Sequence, residues 1–205
     1  MDWQLLSKSQ SAFALIPDQL RLTAEPWALE AGETLFRVGD GVAAMFSVIR
    51  GEVRLMRRDR NGMEVILQRA KNGFFAEASL SSLVYHCDAV AAEKTTLIRF
   101  PAQRFRDALS EDGKFREAWM AHLARELRKA RTQCERLSLH GAADRIVHYL
   151  ESEGADGCVD LTQTRKAWAA ELGLTHEALY RTLKRLEDEG TITVDGAQIS
   201  LVRIV

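Results

Sequence analysis

Thr175, His176, Glu177, Tyr180, Arg181 and Lys184 crowd into one short stretch and carry side chains of the kinds that can bond the edges of bases. A guanidinium bonds guanine O6 and N7 bidentately, and a carboxylate accepts from cytosine N4. Glu177 and Arg181 stand four apart, so on a helix they share a face. Leu179, Leu183 and Leu186, at spacings of four and three, form the inward stripe. That sends His176, Glu177, Tyr180, Arg181 and Lys184 outward, close to a helix N-terminus, where a recognition helix meets the major groove.

Presenting such a row takes a particular local structure. Thr175 caps its helix, its hydroxyl accepting a free backbone amide of the first turn. Upstream, Thr164 caps a helix over 165–172 whose buried face holds Trp168 and Leu172, and Gly173 supplies the turn between the two. This is the pattern of a helix-turn-helix. Downstream, Glu187, Asp188, Glu189 and Gly190 end the second helix, and 191–201 alternates about Asp195 and Gly196, a dipeptide that favours a two-residue hairpin. A helix-turn-helix followed by a hairpin is a winged helix, whose wing approaches the phosphate backbone. The plainer reading is a helical hairpin that only packs, its charges a solvated face. Residues 139–205 hold seven Lys and Arg against eleven Asp and Glu. Positive charge is therefore focused on one helix face, and non-specific affinity for nucleic acid is expected to be modest and salt-sensitive.

At 205 residues the chain is long enough for two modest domains. Over 27–100, short apolar runs are punctuated by Gly32, Gly39, Gly41, Gly51, Gly62 and Gly73. Phe46 and Val48, then Val53 and Leu55, flank Arg50 and Gly51; Val65, Ile66 and Leu67 follow Asn61 and Gly62, a hairpin turn pair. This predicts an antiparallel β-roll or barrel. From 111 to 139 there is no proline and only Gly113 among the glycines, and the apolar period lengthens to between three and four, which predicts one long helix. Met120, Leu123, Leu127, Ala130, Cys134 and Leu137 are separated by 3, 4, 3, 4 and 3 residues, an a/d seam. Such a stripe is buried against the chain's own β-domain or against the same helix of a second copy, and the second copy is favoured for its C-terminal half. His140, Gly141 and Ala142 then interrupt the helix as a candidate hinge. A further helix over 144–150 points Ile146, Val147 and Leu150 inward, and 151–160 reads as a loop entering a short extended piece.

Composition narrows the remaining classes. An apolar fraction of 46% and a charged fraction of 28% describe an ordinary folded chain, and a net charge of −1 gives no global sign of a polyanion partner. No run approaches the length of a membrane span, and Met1 to Gln10 lack the basic and apolar blocks of a secretion signal, so a cytoplasmic protein is expected. Cys87, Cys134 and Cys158 are odd in number and unpaired by spacing. His86, His122, His140, His148 and His176 lie at no triad or metal-ligand spacing, so no enzyme and no metal site are expected.

Gly32, Glu33, Thr34, Leu35 and Phe36, then Gly39 and Asp40, Val48 to Val53, and Gly73 and Phe74 resemble the β-roll turns of the Crp/Fnr family, the catabolite activator type. Leu172, Gly173, Leu174 and Thr175 through Leu186, Glu187 and Asp188 resemble its DNA-reading unit. The resemblance spans nearly the whole chain. It implies an α+β fold: an N-terminal double-stranded β-roll of the cyclic-nucleotide-binding, jelly-roll kind over 1–110, a long dimerisation helix over 111–139, and a C-terminal winged helix-turn-helix over 140–205. It also implies a homodimeric transcription regulator on a pseudo-palindromic operator in double-stranded DNA, recruiting or blocking RNA polymerase. Glu177 and Arg181 match the family's base-contacting pair. His176 stands where the cyclic-AMP branch has a further arginine, and Tyr180 where the oxygen-sensing branch has serine, so a G·C contact is expected without the full operator.

The family's effector positions depart further. Its pocket has Gly-Glu-Leu followed by Arg-Ser, the arginine pairing the cyclic phosphate; here Ala76, Glu77 and Ala78 precede Tyr85, His86 and Cys87, and no arginine occurs between Arg69 and Arg99. Without that cation a cyclic nucleotide is not expected to bind. The iron-sulfur branch's N-terminal cysteines are missing from Met1 to Val84, so no cluster is expected. Glu77, His86 and Cys87 remain as candidate effector residues, with haem ligation or thiol-based oxidant sensing by His86 and Cys87 set against simple packing. Adjacent residues of a strand point to opposite faces, which hinders both from binding one ion. Cys134 in the seam is a candidate for an intersubunit disulfide. The alternative function is a ligand-binding or redox- or haem-sensing module with constitutive or secondary DNA binding.

Overall fold

A computed structural model describes residues 1–9, 11–58, 60 and 64–202. The Asn61 and Gly62 turn and Arg203 lie outside the described residues. The chain divides into two compact units, Met1–Ala124 and Arg125–Val205.

In the first unit, helices α1 (Trp3–Ser9) and α2 (Asp18–Leu22) flank a 3-10 turn, Ser11–Leu15. Eight strands follow: β1 (Glu25–Leu29), β2 (Thr34–Phe36), β3 (Ala44–Arg50), β4 (Val53–Arg58), β5 (Glu64–Ala70), β6 (Gly73–Phe75), β7 (Asp88–Ala91) and β8 (Thr95–Pro101). Among the described residues they form two antiparallel four-stranded sheets, ordered β1-β8-β3-β6 and β2-β7-β4-β5. This is the expected β-roll. Gly51 turns β3 into β4 at φ +94, and a Cβ there would meet Thr95 Oγ1 at 2.5 Å, so both backbone and space require glycine.

Between the sheets the rings stack. Phe36 lies on Tyr85 at 3.7 Å and 10°, Phe46 is 5.9 Å from Phe36, and Phe75 is 5.6 Å from Phe46. Val48, Leu55, Cys87 and Leu97 complete that core. Strand β3 is buried on both faces, because Met45, with Ile98 and Phe100 of β8, packs outward into a second core with Phe13, Ile16 and Leu20. These N-terminal elements precede the stretch over 27–100 that reads as short strands, and they cover the outer face.

Helix α3 (Ala102–Glu111) joins that second core through Phe105. The long helix, α4 (Gly113–Ser138), begins later than expected. Asp112 breaks the run at φ −105, ψ 107, and its carboxylate accepts from the Phe115 amide at 2.9 Å, a side-chain cap. Phe115 and Trp119 pack into the second core and Leu123 is half-buried against it, whereas Met120, Leu127, Ala130, Cys134 and Leu137 are exposed in the single chain. Among the described residues no helix is long and apolar enough to cross a membrane.

The second unit holds α5 (Ala142–Glu153), β9 (Cys158–Asp160), α6 (Arg165–Glu171), α7 (His176–Asp188), β10 (Ile192–Asp195) and β11 (Gln198–Leu201). Its three strands order as β10-β11-β9 and back the helices on a core of Ile146, Leu150, Trp168, Leu179 and Ile199. Three expectations are corrected. Helix α5 runs through Glu153, into the stretch read as loop. Tyr149 rather than Val147 fills its inner face, and Val147 is half-buried. The hairpin turn falls one residue later than Asp195 and Gly196: Asp195 pairs with Gln198, leaving Gly196 at φ +57 and Ala197 as the loop.

Candidate functional site

Both helices of the helix-turn-helix start as the sequence dictates. Thr164 Oγ1 accepts from the Ala167 amide at 3.2 Å and Thr175 Oγ1 from the Ala178 amide at 3.1 Å, caps worth about 1 kcal/mol each. The intervening Gly173 adopts φ +65, and Leu174 N donates to Ala169 O at 2.8 Å, closing α6. Leu179, Leu183 and Leu186 are buried beneath α7, joined by Thr182, whose hydroxyl bonds back to Ala178 O at 2.7 Å.

That burial fixes which face of α7 meets solvent. His176, Glu177, Tyr180, Arg181 and Lys184 are exposed together with Thr175, as predicted. The His176 and Tyr180 rings pack 4.6 Å apart. Among the described residues Glu177, Arg181 and Lys184 make no side-chain hydrogen bond or ion pair. Their acceptors and donors are open, and Glu177 in the first turn lies at the favourable end of the helix dipole. Beside them Arg165 Nη2 donates to Gly196 O at 2.8 Å, tying the wing turn to α6.

The candidate effector residues gather around a 3-10 turn, Glu77–Ser79, entered through Ala76 at φ +66, a backbone that costs a non-glycine residue energy. Glu77 Oε1 lies 2.8 Å from His122 Nε2 of α4, with side-chain exposures of only 8% and 11%. The imidazole sits 5.0 Å from the Trp119 ring and 5.9 Å from Phe74. Ser79, fully buried, shares a 2.7 Å hydrogen bond with His86 Nδ1. His86 and Cys87 precede β7 rather than lying in a strand, yet they still diverge: His86 is exposed and Cys87 is fully buried in the roll core.

Burial pushes the Cys87 thiol above its ordinary value; Arg57 opposes this weakly and Asp88 adds to it. A raised native value means that stability from the neutral thiol is complete below the unfolded pKa and is lost as pH climbs through the folded one. Cys87 is therefore a thiol, not a thiolate, at neutral pH. Native protein treated with iodoacetamide at pH 7.5 leaves Cys87 unmodified by mass spectrometry, and modifies it only after denaturation; rapid native labelling would restore oxidant sensing at this residue. Among the described residues no group of three or more His, Cys, Asp and Glu could hold a metal ion.

Sequence reasoning missed His122, Gln133 and Arg145. The first sits three and seven residues beyond Trp119 and Phe115, a polar residue continuing an apolar stripe on a buried face. The other two bind main-chain carbonyls, described below.

The chain matches two families, the cyclic nucleotide-binding domain over residues 26–112 and the Crp-like helix-turn-helix domain over residues 143–204. It is 30% identical to the Cyclic AMP receptor protein of Thermus thermophilus over 83% of this chain and 80% of that one. It is 28% identical to the Nitrogen fixation regulation protein FixK of Bradyrhizobium diazoefficiens over 84% of this chain and 76% of that one. The solved structure of FixK2 from Bradyrhizobium japonicum superposes with a TM-score of 0.70 over 88% of this chain and 93% of that one, at 23% identity, a likeness of fold. The matched domains and relatives are those of transcription regulators, not enzymes.

Proposed function

The chain belongs to the Crp/Fnr family of transcription regulators, and from that premise we propose that it works as a homodimer whose two α7 helices read a pseudo-palindromic operator without a cyclic-nucleotide effector. One observation carries the reading: Glu177 and Arg181 stand exposed and unpartnered on the outward face of a capped, well-buried second helix. Arginine at that place bonds guanine, and the carboxylate accepts from cytosine. The exposed run Leu127, Ala130, Cys134 and Leu137 at heptad spacing supports the second copy, since apolar residues so arranged are stable when covered. DNA as target places the protein in the cytoplasm, and contact with RNA polymerase follows the family.

A cyclic nucleotide fits these residues poorly. Glu77 is already paired with His122, Tyr85 is stacked on Phe36 inside the roll, the stretch from Tyr85 to Cys87 contains no arginine or lysine, and the guanidinium that reaches it, that of Arg57, already donates to His86 O at 2.7 Å. A buried phosphate without a guanidinium or ammonium forfeits its main compensation for desolvation. Nor do three thiols, one of them buried in the roll core, make a four-thiolate iron-sulfur set.

Selection of bound duplexes from a randomised pool, followed by titration with and without cyclic AMP and cyclic GMP, tests the proposal. The expected outcome is a two-fold symmetric site with one G·C pair fixed in each half, bound equally well with and without either nucleotide at a given salt concentration. An affinity that rises tenfold with either nucleotide sinks the effector reading, and a pool left random sinks the DNA reading.

A further inference from the structure

Four main-chain carbonyls from two helix ends converge on one guanidinium. Arg145 of α5 donates through Nε to Leu139 O at 2.8 Å and through Nη2 to Leu137 O at 3.2 Å, at the end of α4. Its Nη1 donates to Leu172 O at 3.1 Å and Gly173 O at 3.2 Å, at the end of α6. The last carbonyls of a helix have no intrahelical partner and carry the negative end of its dipole. A planar cation with donors on several edges can answer both ends at once, which a single ammonium cannot.

Two further contacts seat the same turn. Gln133 Nε2 donates to Glu171 O at 2.6 Å, a second tie from α4 to α6. A Cβ on Gly173 would stand 3.0 Å from both Arg145 Nη1 and Leu137 Cδ2, so the turn rests directly against α4 and α5. Helix α7 begins at His176, just beyond it. The break after Ser138, read from sequence as a hinge, is thus spanned by a side chain that holds both of its sides.

We infer that Arg145 is a positioning residue for DNA reading: it fixes where α7 sits on the end of α4, and so sets the half-site spacing that the pair of subunits accepts. This rests on the dimeric reading given above. Arg145 is half-buried and turned to carbonyls, so no contact with DNA is asked of it. The core of Ile146, Leu150, Trp168 and Leu179 holds the unit without its guanidinium.

The test uses the full chain and duplexes carrying the selected half-sites at their native separation or one base pair nearer or farther, a change of about 3.4 Å and about 34°. Wild type is expected to lose about tenfold or more in affinity at either altered spacing. In Arg145→Met that ratio falls to about threefold or less, while the loss on changing the G·C pair in each half-site stays as in wild type. A protein that had merely been loosened would lose both. Arg145→Lys keeps the charge but cannot reach four carbonyls, and it decides the matter should Arg145→Met fail the circular dichroism check for folding; its spacing ratio is expected between the two. Either folded variant with the wild-type spacing ratio overturns the role of Arg145 alone. Wild type indifferent to spacing overturns the dimeric reading, and this inference with it.

Discussion

Arg181→Ala binds the selected operator about 30-fold to about 10⁴-fold more weakly than wild type, because a bidentate arginine contact contributes about 1–3 kcal/mol and the symmetric complex loses two. Binding to unrelated duplex falls far less, since that affinity comes from phosphate contacts. The fold should not register the change: Arg181 is exposed and bonds nothing within the chain, so the thermal midpoint stays within the small shift of a surface substitution. Arg181→Lys restores charge without the fork and recovers non-specific binding before specific binding. Gel-shift titration on the operator and on a duplex altered at the G·C pair measures both terms. If Arg181→Ala weakens the two duplexes equally, arginine is a phosphate contact and selectivity lies elsewhere on α7.

The face that makes this prediction was legible because it depends on local rules. Thr164 and Thr175 are caps that act within one turn, and Leu179, Leu183 and Leu186 mark an inner face by spacing alone. What escaped depends on partners far away in sequence. Ala44 to Val48 of β3 show no alternation because both faces of the sheet are covered, and the covering residues Phe13, Ile16 and Leu20 sit in a 3-10 turn, a bend and a helix too short to announce themselves. His122 finds Glu77 across 45 residues. Arg145 binds carbonyls, and a main-chain acceptor has no residue type by which a sequence could reveal it. The hairpin slipped by one residue for a geometric reason: Gly196, with its positive φ, occupies the first loop position and leaves Asp195 as the closing pair.

Leu127→Asp is expected to dissolve the dimer. Leu127 is 53% exposed in the single chain and lies in the stretch of the seam where Ala130, Cys134 and Leu137 are exposed as well, whereas Leu123 is partly spent on its own core. Covering a leucine of this kind contributes about 1.5–3 kcal/mol, and a symmetric seam contains two, so dimerisation weakens by about 3–6 kcal/mol, at least about 100-fold in the dimer constant. Facing carboxylates add to the loss. The isolated chain has no such charge to bury, so it keeps its three cores and its far-ultraviolet circular dichroism. Sedimentation velocity then shows a monomer at micromolar concentrations, and binding to the full operator collapses to that of a single half-site. Oxidation supplies an independent reading of the same seam: with a mild oxidant, wild type is expected to give a covalent dimer through Cys134, which is free and exposed in the single chain, and Leu127→Asp to give none at the same concentration. A Leu127→Asp protein that still sediments as a dimer would place the interface on another surface, and the half-site spacing would then have to be set without α4.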